Sequence, residues 1–277
     1  MIYFYQNLPL HISPIAFTIG IFSIRWYAIS YIIGFLTVYF ILMWRIRKEE
    51  IPASISNLKF KISNLVTDFL LVSFFAALIG GRIGYVLLYN LPYFLAHPMA
   101  IISPYENGNF TGIYGMSYHG GLVGIAIGSY IFLHFKKINF WEWADFVIPA
   151  VPAGYFFGRI GNFLNGELYG RITNSPLGMY FSGDQTVLRW PSQLIEGFLE
   201  GIVLFVILWA MRNKEMPKGS LFAIYLIGYG FFRILAEIFR EPDPQIGLLL
   251  NYFTLGQLLS FLMIIIGAGL LLKKRKV

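Results

Sequence analysis

The chain alternates long apolar segments with short polar ones, and the apolar segments have the length of membrane-spanning helices. A bilayer core about 30 Å thick is crossed by a helix of roughly 20 apolar residues. Seven segments meet this requirement: 24–44, 66–89, 117–135, 143–163, 193–211, 219–239 and 254–272. Because 57% of the residues are hydrophobic and only 13% are charged, the composition excludes a soluble globular domain. We therefore expect an all-α integral membrane protein with seven transmembrane helices, in which residues 1–277 form a single polytopic domain.

The lysines predict the orientation of these helices. All ten lie in alternate loops or in the C-terminal tail, and several arginines accompany them there. Since cytoplasmic loops carry an excess of Lys and Arg, this side is predicted to be cytoplasmic, with the N-terminus outside and the C-terminus inside. The first forty residues lack the succession of basic start, apolar run and small-residue cleavage site, so no removable signal peptide is expected.

The basic residues on the opposite side of the predicted membrane are all arginines: Arg25, Arg82, Arg159, Arg171, Arg189, Arg233 and Arg240. A guanidinium presents a planar fork of donors that matches a phosphate or a carboxylate, whereas an ammonium does not. Such arginines can also lie at the headgroup level or pair with acids inside the bundle. Arg159 and Arg233, however, are embedded in apolar sequence, where an unpaired charge is costly. They favour an anion-binding site in the outer half of the protein.

The fourth predicted span is interrupted by Pro149 and Pro152 and ends within the stretch GRIGNFLNGELYGR, residues 158–171. Its glycines allow the backbone to approach a ligand. Its asparagines and its glutamate, which include Asn162 and Glu167, supply donors and acceptors close to the arginine in sequence. We expect this stretch to line a cavity at the end of a kinked helix.

The stretch YGFFRILAEIFREPD, residues 229–243, carries Tyr229, Arg233, Glu237 and Arg240 at spacings of 4, 4 and 3. These spacings place all four on one face of a helix. One alternative is an Arg233–Glu237 pair that only neutralises itself. Four polar groups on one face of a membrane helix are more typical of the lining of a wet cavity.

The stretch SYHGGLVGIAIG, residues 117–128, begins the third predicted span with His119 at its outer end. Gly120, Gly124 and Gly128 recur every four residues, a spacing that permits close contact between membrane helices. An isolated histidine is most often structural. An imidazole nevertheless titrates near neutrality, which suits His119 to proton transfer.

Several classes of enzyme and transporter are excluded by missing motifs. The four histidines form no HExxH or other pair at metal-ligand spacing, and there is no cysteine to supply a thiolate. Neither GxSxG nor the nucleotide-binding GxxxxGK[ST] occurs. No metal, no soluble cofactor and no nucleic-acid partner is therefore expected.

The stretch GRIGNFLNGELYG resembles the signature G-R-x-G-N-F-x-N-x-E-x-x-G of the bacterial prolipoprotein diacylglyceryl transferases, and every fixed position is met. RWY at 25–27, HGG at 119–121 and the 229–243 helix extend the resemblance over nearly the whole chain. It implies transfer of the diacylglyceryl group of phosphatidylglycerol to the lipobox cysteine thiol of a preprolipoprotein signal peptide. The implied products are a thioether and glycerol 1-phosphate, in the first step of lipoprotein maturation. The implied location is the outer face of the bacterial cytoplasmic (inner) membrane.

This reaction suggests roles for the polar residues. Because a free thiol has a pKa of about 8.5 and only the thiolate attacks, a base is useful. We assign that role to His119, with Tyr229 and Tyr27 as orienting or alternative proton-transfer groups. Arg159 and Arg233 would bind the phosphate and stabilise charge that accumulates on it. Substrate binding is assigned to Tyr27, Gly120, Asn162, Glu167, Gly170, Glu237 and Arg240.

Other functions fit the sequence less well. A non-catalytic phospholipid or anion transporter would use the same arginines, but the internal repeat typical of such proteins is not evident. A structural membrane protein gives no reason for charges on two apolar helices, and an intramembrane protease lacks a nucleophile. Segments 91–113 and 172–191 are predicted to be outer loops or a small head that receives the signal peptide. The enzyme is expected to act as a monomer.

Overall fold

The computed structural model describes residues 2–20, 22–51, 61–89, 91–103, 105–106, 109–110, 115–241 and 253–274, and the following statements concern these residues. Side chains are described for all of them except residues 89, 105–106, 109–110, 118–119 and 274. The chain divides into two compact units, which are considered separately. The larger unit combines 1–51 with 141–277, and the smaller unit comprises 52–140.

The structure is mostly helical. Its α-helices are α1 (Ile2–Asn7), α2 (Trp26–Arg47), α3 (Ile62–Tyr89), α4 (Leu91–Ala96), α5 (Tyr118–Phe135), α6 (Phe140–Val147), α7 (Val151–Leu164), α8 (Ser192–Glu196), α9 (Leu204–Met211), α10 (Ser220–Ala236) and α11 (Leu255–Lys274). Short 3₁₀ helices occupy Leu8–His11, Pro98–Ile101 and Ile148–Ala150, and a π-helical segment occupies Gly197–Val203. Three antiparallel hairpins pair β1 (Ile15–Ile19) with β2 (Phe22–Arg25), β3 (Tyr105–Glu106) with β4 (Asn109–Phe110), and β5 (Met179–Phe181) with β6 (Asp184–Arg189).

Four helices of the described chain are long and apolar enough to cross a membrane: Trp26–Arg47, Ile62–Leu88, Ser192–Met211 and Leu255–Lys273. Two further apolar helices, Gly120–Phe135 and Ser220–Ala236, are shorter. The fourth predicted span is present as α6, a 3₁₀ turn and α7, and the interruption expected at Pro149 and Pro152 falls at this turn. The prediction of a helical membrane protein is thereby confirmed.

Glycines fix the helix contacts of the larger unit. A Cβ atom on Gly154 of α7 would lie 2.9 Å from the carbonyl oxygen of Gly34 in α2, and one on Gly161 would lie 2.9 Å from Cβ of Ser30. A Cβ atom on Gly267 of α11 would lie 2.7 Å from the Ala223 carbonyl oxygen in α10. These distances are too short for any larger side chain. The α2–α7 contact brings the start of α2 against the end of α7, where the signature begins.

A cluster of ion pairs and hydrogen bonds joins the C-terminal end of α2 to α6 and to the end of α9. Glu50 accepts hydrogen bonds from Arg45 at 3.2 Å and from Arg212 at 3.1 Å. Arg45 is buried and also donates to the Phe146 carbonyl oxygen. The Arg212 guanidinium carbon lies 4.1 Å from the ring centroid of Trp209. Burial acts to raise the pKa of the Glu50 carboxyl, but the hydrogen bonds and positive charges of the arginines outweigh this and lower the pKa.

The smaller unit is built on the contact between α3 and α5. Here Gly80 and Gly84 of α3 face the glycines of α5, and a Cβ atom on Gly124 would lie 2.2 Å from the Ala76 carbonyl oxygen. The close contact predicted for Gly120, Gly124 and Gly128 is confirmed. The two helices border an apolar groove of about 520 Å³.

Arg82, one of the arginines on the predicted outer side, is structural. Its guanidinium donates to the carbonyl oxygens of Ala100 at 2.6 Å, Ile101 at 2.7 Å and Gly115 at 3.2 Å. It thereby ties both ends of the segment 100–115 to α3. Of the predicted outer segment 91–113, residues 104, 107–108 and 111–113 lie outside the described part of the chain.

The segment 172–191 forms the β5–β6 hairpin of the larger unit. Met179 and Phe181 of β5 pack with Phe163 of α7, and this small core also contacts Tyr5 near the N-terminus. The hydrogen bonds donated by Arg189 and Thr186 hold the pKa of the Asp184 carboxyl below its ordinary value. The hairpin is therefore anchored to the helix that carries the signature.

Candidate active site

Arg159 lies within α7, and its guanidinium makes contacts in three directions. Nε donates to Tyr155 Oη at 2.6 Å, Nη2 lies 2.8 Å from Glu196 Oε2, and Nη1 donates to Asn162 Oδ1 at 3.5 Å. Only 12% of its side chain is exposed. A buried guanidinium is stable only where carboxylates or other acceptors compensate its charge, and Glu196 supplies that compensation.

Glu196 of α8 joins the two polar clusters that the sequence predicts. Its Oε2 also lies 2.8 Å from Nη1 of Arg233 in α10, and its Oε1 lies 3.5 Å from Nη1 of Arg240. A single carboxylate, with no exposed surface, thus contacts three guanidinium groups. The contacting nitrogens of Arg159 and Arg233 are therefore separated by no more than twice 2.8 Å.

Arg233 pairs with Glu237, but it also contacts other glutamates. Arg233 Nη2 lies 3.0 Å from Glu237 Oε2, as the spacing of four predicts, while its Nη1 reaches Glu196 and lies 3.8 Å from Glu200. α10, which ends at Ala236, thus contributes to a network across α7, α8 and α10. We call the set of Arg159, Arg233, Arg240, Glu196, Glu200 and Glu237 the arginine–glutamate cluster.

Glu167 lies in a second polar network at the end of α7. Its Oε1 accepts from Asn162 Nδ2 at 2.8 Å and its Oε2 accepts from Asn165 Nδ2 at 3.0 Å. Gln193 Nε2 donates to the Glu167 carbonyl oxygen at 2.6 Å. Asn162 also accepts from Arg159, so this network and the arginine–glutamate cluster are continuous.

The turn that presents Glu167 is strained. The φ angle is +57° at Leu168, a left-handed conformation that costs a leucine roughly 1 to 2 kcal/mol. Ser192 Oγ donates to the Leu168 carbonyl oxygen at 2.9 Å, beside the Gln193 bond to Glu167. The first residues of α8 therefore hold the turn in this conformation.

Gly170 has a structural reason to be glycine. Its N–H donates to the Trp190 carbonyl oxygen at 2.8 Å, and a Cβ atom there would lie 2.1 Å from the Phe239 carbonyl oxygen. A backbone bridge connects it to Arg240. The signature thereby joins the end of α10 to the β5–β6 hairpin.

The two predicted tyrosines each contact another tyrosine. Tyr27, at the start of α2, donates to Tyr31 Oη at 3.0 Å. The ring of Tyr229 contacts that of Tyr155, with 5.8 Å between centroids. The backbone of His119 lies in α5, but its side chain is outside the described part of the structure. Gly120 serves the α3–α5 contact of the smaller unit.

The structure thus brings together Arg159, Asn162, Glu167, Arg233, Glu237 and Arg240 of the predicted site. Sequence reasoning missed Glu196, Glu200, Tyr155 and Gln193. The signal was available in part: the fifth predicted span contains glutamates at positions 196 and 200, four residues apart, and two acids in an apolar helix require partners. The described residues contain no group of three or more His, Cys, Asp or Glu side chains that could hold a metal ion.

Comparison with known proteins identifies a family and its members that match almost the whole chain. The family model of prolipoprotein diacylglyceryl transferase matches residues 14–273. The chain is 47% identical to the phosphatidylglycerol–prolipoprotein diacylglyceryl transferase of Chlorobaculum tepidum, over 96% of this chain and 91% of that protein. Proteins of the same name from Geobacter sulfurreducens and Desulfotalea psychrophila are 42% and 41% identical, each over 96% of this chain and over 98% and 94% of their own lengths.

These matches confirm the resemblance that the signature predicts, and with it the assignment of the chain as a transferase of lipoprotein biosynthesis. They extend far beyond the signature, because they cover almost the full length of this chain and of its relatives. The chain belongs to the prolipoprotein diacylglyceryl transferase family.

Proposed function

We propose that this protein transfers the diacylglyceryl group of phosphatidylglycerol to the lipobox cysteine of a preprolipoprotein and releases glycerol 1-phosphate. Family membership supports the reaction. The observation that carries the assignment of the site is the convergence of Arg159 and Arg233 on one buried carboxylate oxygen of Glu196. Two guanidinium groups held this close together can contact the oxygens of one phosphate.

The protein works in the bacterial cytoplasmic membrane with seven transmembrane helices, its N-terminus outside and its C-terminus in the cytoplasm. The alternation of basic loops supports this orientation. The arginine–glutamate cluster then faces the extracytoplasmic side, where the phospholipid headgroups and the signal peptide meet. Segments 91–113 and 172–191 are outer loops of this single membrane domain, and the protein acts as a monomer.

In the reaction, the cysteine sulfur attacks the carbon of the diacylglyceryl group that is bonded to the phosphate oxygen. The C–O bond to the phosphate breaks, a C–S thioether bond forms, and the thiol proton passes to a base. His119 is that base, with Tyr229 and Tyr27 as orienting groups or alternative proton-transfer groups. Arg159 and Arg233 neutralise the charge that grows on the leaving phosphate, an effect worth several kcal/mol when the donors are preorganised.

The remaining predicted residues bind substrate or hold those that do. Asn162 and Glu167 contact the headgroup glycerol or orient Arg159, which the hydrogen bond from Arg159 to Asn162 supports. Glu237 positions Arg233, in agreement with their 3.0 Å contact. The other residues that we assign to substrate binding are Gly120, Gly170 and Arg240.

A transfer assay in detergent micelles tests this function. Purified protein is incubated with phosphatidylglycerol and a synthetic lipobox peptide that carries either Cys or Ser at the acceptor position. Mass spectrometry should show a diacylglyceryl gain on the Cys peptide alone, with release of glycerol 1-phosphate. Absence of any gain while the lipid is demonstrably bound would refute the proposal and favour a transporter.

A further inference from the structure

A chain of two short hydrogen bonds runs away from the signature arginine. Arg159 Nε donates to Tyr155 Oη at 2.6 Å, and Tyr155 Oη donates to Glu200 Oε2 at 2.6 Å. Tyr155 lies one helical turn before Arg159 in α7, so its ring also lies beneath the guanidinium, with 4.9 Å from the carbon to the ring centroid. Glu200 has no exposed surface. The chain thus ends on a fully buried carboxylate.

The conformation of the backbone around Glu200 places its side chain beside Tyr155. Glu200 lies in the π-helical segment Gly197–Val203, and π-helical turns inside longer helices are frequent at functional sites. A Cβ atom on Gly201 would lie 2.9 Å from Phe156 Cβ, and one on Gly197 would lie 3.3 Å from Arg159 Cβ. Both glycines therefore let this helix approach α7 closely enough for Glu200 to reach Tyr155.

The contacts of Arg159 fix the direction of its guanidinium. Nε is bonded to Tyr155 and Nη2 contacts Glu196. These two nitrogens form one edge of the planar guanidinium group. Nη1 has the longest contact, 3.5 Å to Asn162. A guanidinium carries five N–H donors in a fixed fork, so anchoring one edge determines where the remaining donors point.

From this geometry we infer that Tyr155 and Glu200 are positioning residues of the transferase, which hold Arg159 so that Nη1 faces the phosphate of the lipid. This inference rests on the proposed function. Neither residue belongs to the signature, and neither reacts. Their effect is on the chemical step, because misplacing a charge-stabilising group by about 1 Å can cost about 100-fold in rate.

The test compares Tyr155→Phe, Glu200→Ala, their double variant and Glu200→Gln in the transfer assay, with kcat expressed per folded protein. Tyr155→Phe and Glu200→Ala should each lower kcat by about 10-fold to 100-fold and leave KM for phosphatidylglycerol nearly unchanged. The double variant should be no worse than Glu200→Ala, which breaks the same chain of bonds and also removes the 3.8 Å contact with Arg233. Glu200→Gln keeps an oxygen that accepts from Tyr155, so it should regain most of the lost activity.

Tyr39→Phe is the matched control, because it removes a hydroxyl from α2 whose ring contacts only Phe40 among the described contacts. It should behave as the unchanged protein. Equal kcat per folded molecule in Tyr155→Phe and Glu200→Ala, with only a lower melting temperature, would overturn the inference. So would additive losses in the double variant. If Tyr155→Phe does not fold, the Glu200→Ala and Glu200→Gln pair decides the question.

The Arg159→Ala variant distinguishes failure of the positioning role from failure of the proposed function. A large loss in Arg159→Ala together with normal turnover in Tyr155→Phe would refute the positioning role alone. Normal turnover in Arg159→Ala would refute the role of the arginine, and the positioning role with it. No transfer by the unchanged protein would refute the proposed function itself.

Discussion

Glu196 and Arg233 lie 37 residues apart in the chain, and Glu196 Oε2 is 2.8 Å from Arg233 Nη1 inside the larger unit. The same oxygen is 2.8 Å from Arg159. A carboxylate between two guanidinium groups lowers the cost of placing both in an apolar environment. It also fixes the distance between them, as the proposed phosphate site requires.

Replacing Glu196 by Ala should destabilise the protein. The change leaves three largely buried arginines without this counter-charge, and breaking a buried ion pair by removing one partner costs about 3 to 5 kcal/mol. Thermal unfolding in detergent would show a large fall in melting temperature. The matched control is Glu215→Ala, at an exposed position, which should unfold as the unchanged protein does. An unaltered melting temperature in Glu196→Ala would contradict the buried network.

Replacing Arg159 by Lys should lower kcat/KM for phosphatidylglycerol by about 100-fold to 1,000-fold. Lysine keeps the charge but cannot contact Tyr155, Glu196 and a phosphate at once, because it lacks the planar fork. Arg47→Lys makes the same exchange at an exposed position at the end of α2 and should leave activity unchanged. Comparable activity in both variants would mean that only charge matters at position 159.

Replacing Gly124 by Ala should destabilise the smaller unit, because the new Cβ atom would lie 2.2 Å from the Ala76 carbonyl oxygen. The helices must separate to admit it. Gly269→Ala provides the control, since no atom lies within 4 Å of its Cβ position in α11. That substitution should stabilise its helix by about 1 kcal/mol through helix propensity. The two variants should therefore shift the melting temperature in opposite directions.

Replacing Leu168 by Gly should stabilise the turn by about 1 kcal/mol, since glycine adopts φ of +57° without steric cost. A rise in melting temperature would show it. Leu177 is also largely exposed but has no positive φ, so Leu177→Gly should lower stability. A fall in both variants would mean that the Leu168 side chain contributes more than its backbone costs.

Glu50 predicts a pH dependence of stability. Because its pKa is lowered in the folded protein, its ionised form stabilises the fold above its ordinary pKa of 4.5, and this stabilisation is lost as pH falls through the folded value. Compared with Glu50→Gln, the unchanged protein should have a higher melting temperature at neutral pH. The difference should shrink on acidification below pH 4.5. A constant difference would contradict the lowered pKa.

The sequence predicts the helices well because each long apolar run has few other ways to satisfy its backbone in a membrane. It also predicts that Arg159 and Arg233 belong to one site, since burying either alone is costly. It does not predict Glu196 or Tyr155 as their partners. This pairing depends on the π-helical segment and on Gly197 and Gly201, which determine which face of the helix packs against α7. Tyr155 reads simply as part of an apolar run.

The arginine–glutamate cluster contains as many glutamates as arginines, so it is electrically neutral when all six groups are ionised. Such a cluster does not attract anions by excess charge. It binds one only where directed N–H donors meet its oxygens, and a small anion in free solution gains little from so few contacts. In the proposed function, the acyl chains of the phospholipid, which already lie in the bilayer, deliver its phosphate to the same donors. The balance of charges therefore predicts an enzyme that binds soluble phosphate weakly and still binds a phospholipid.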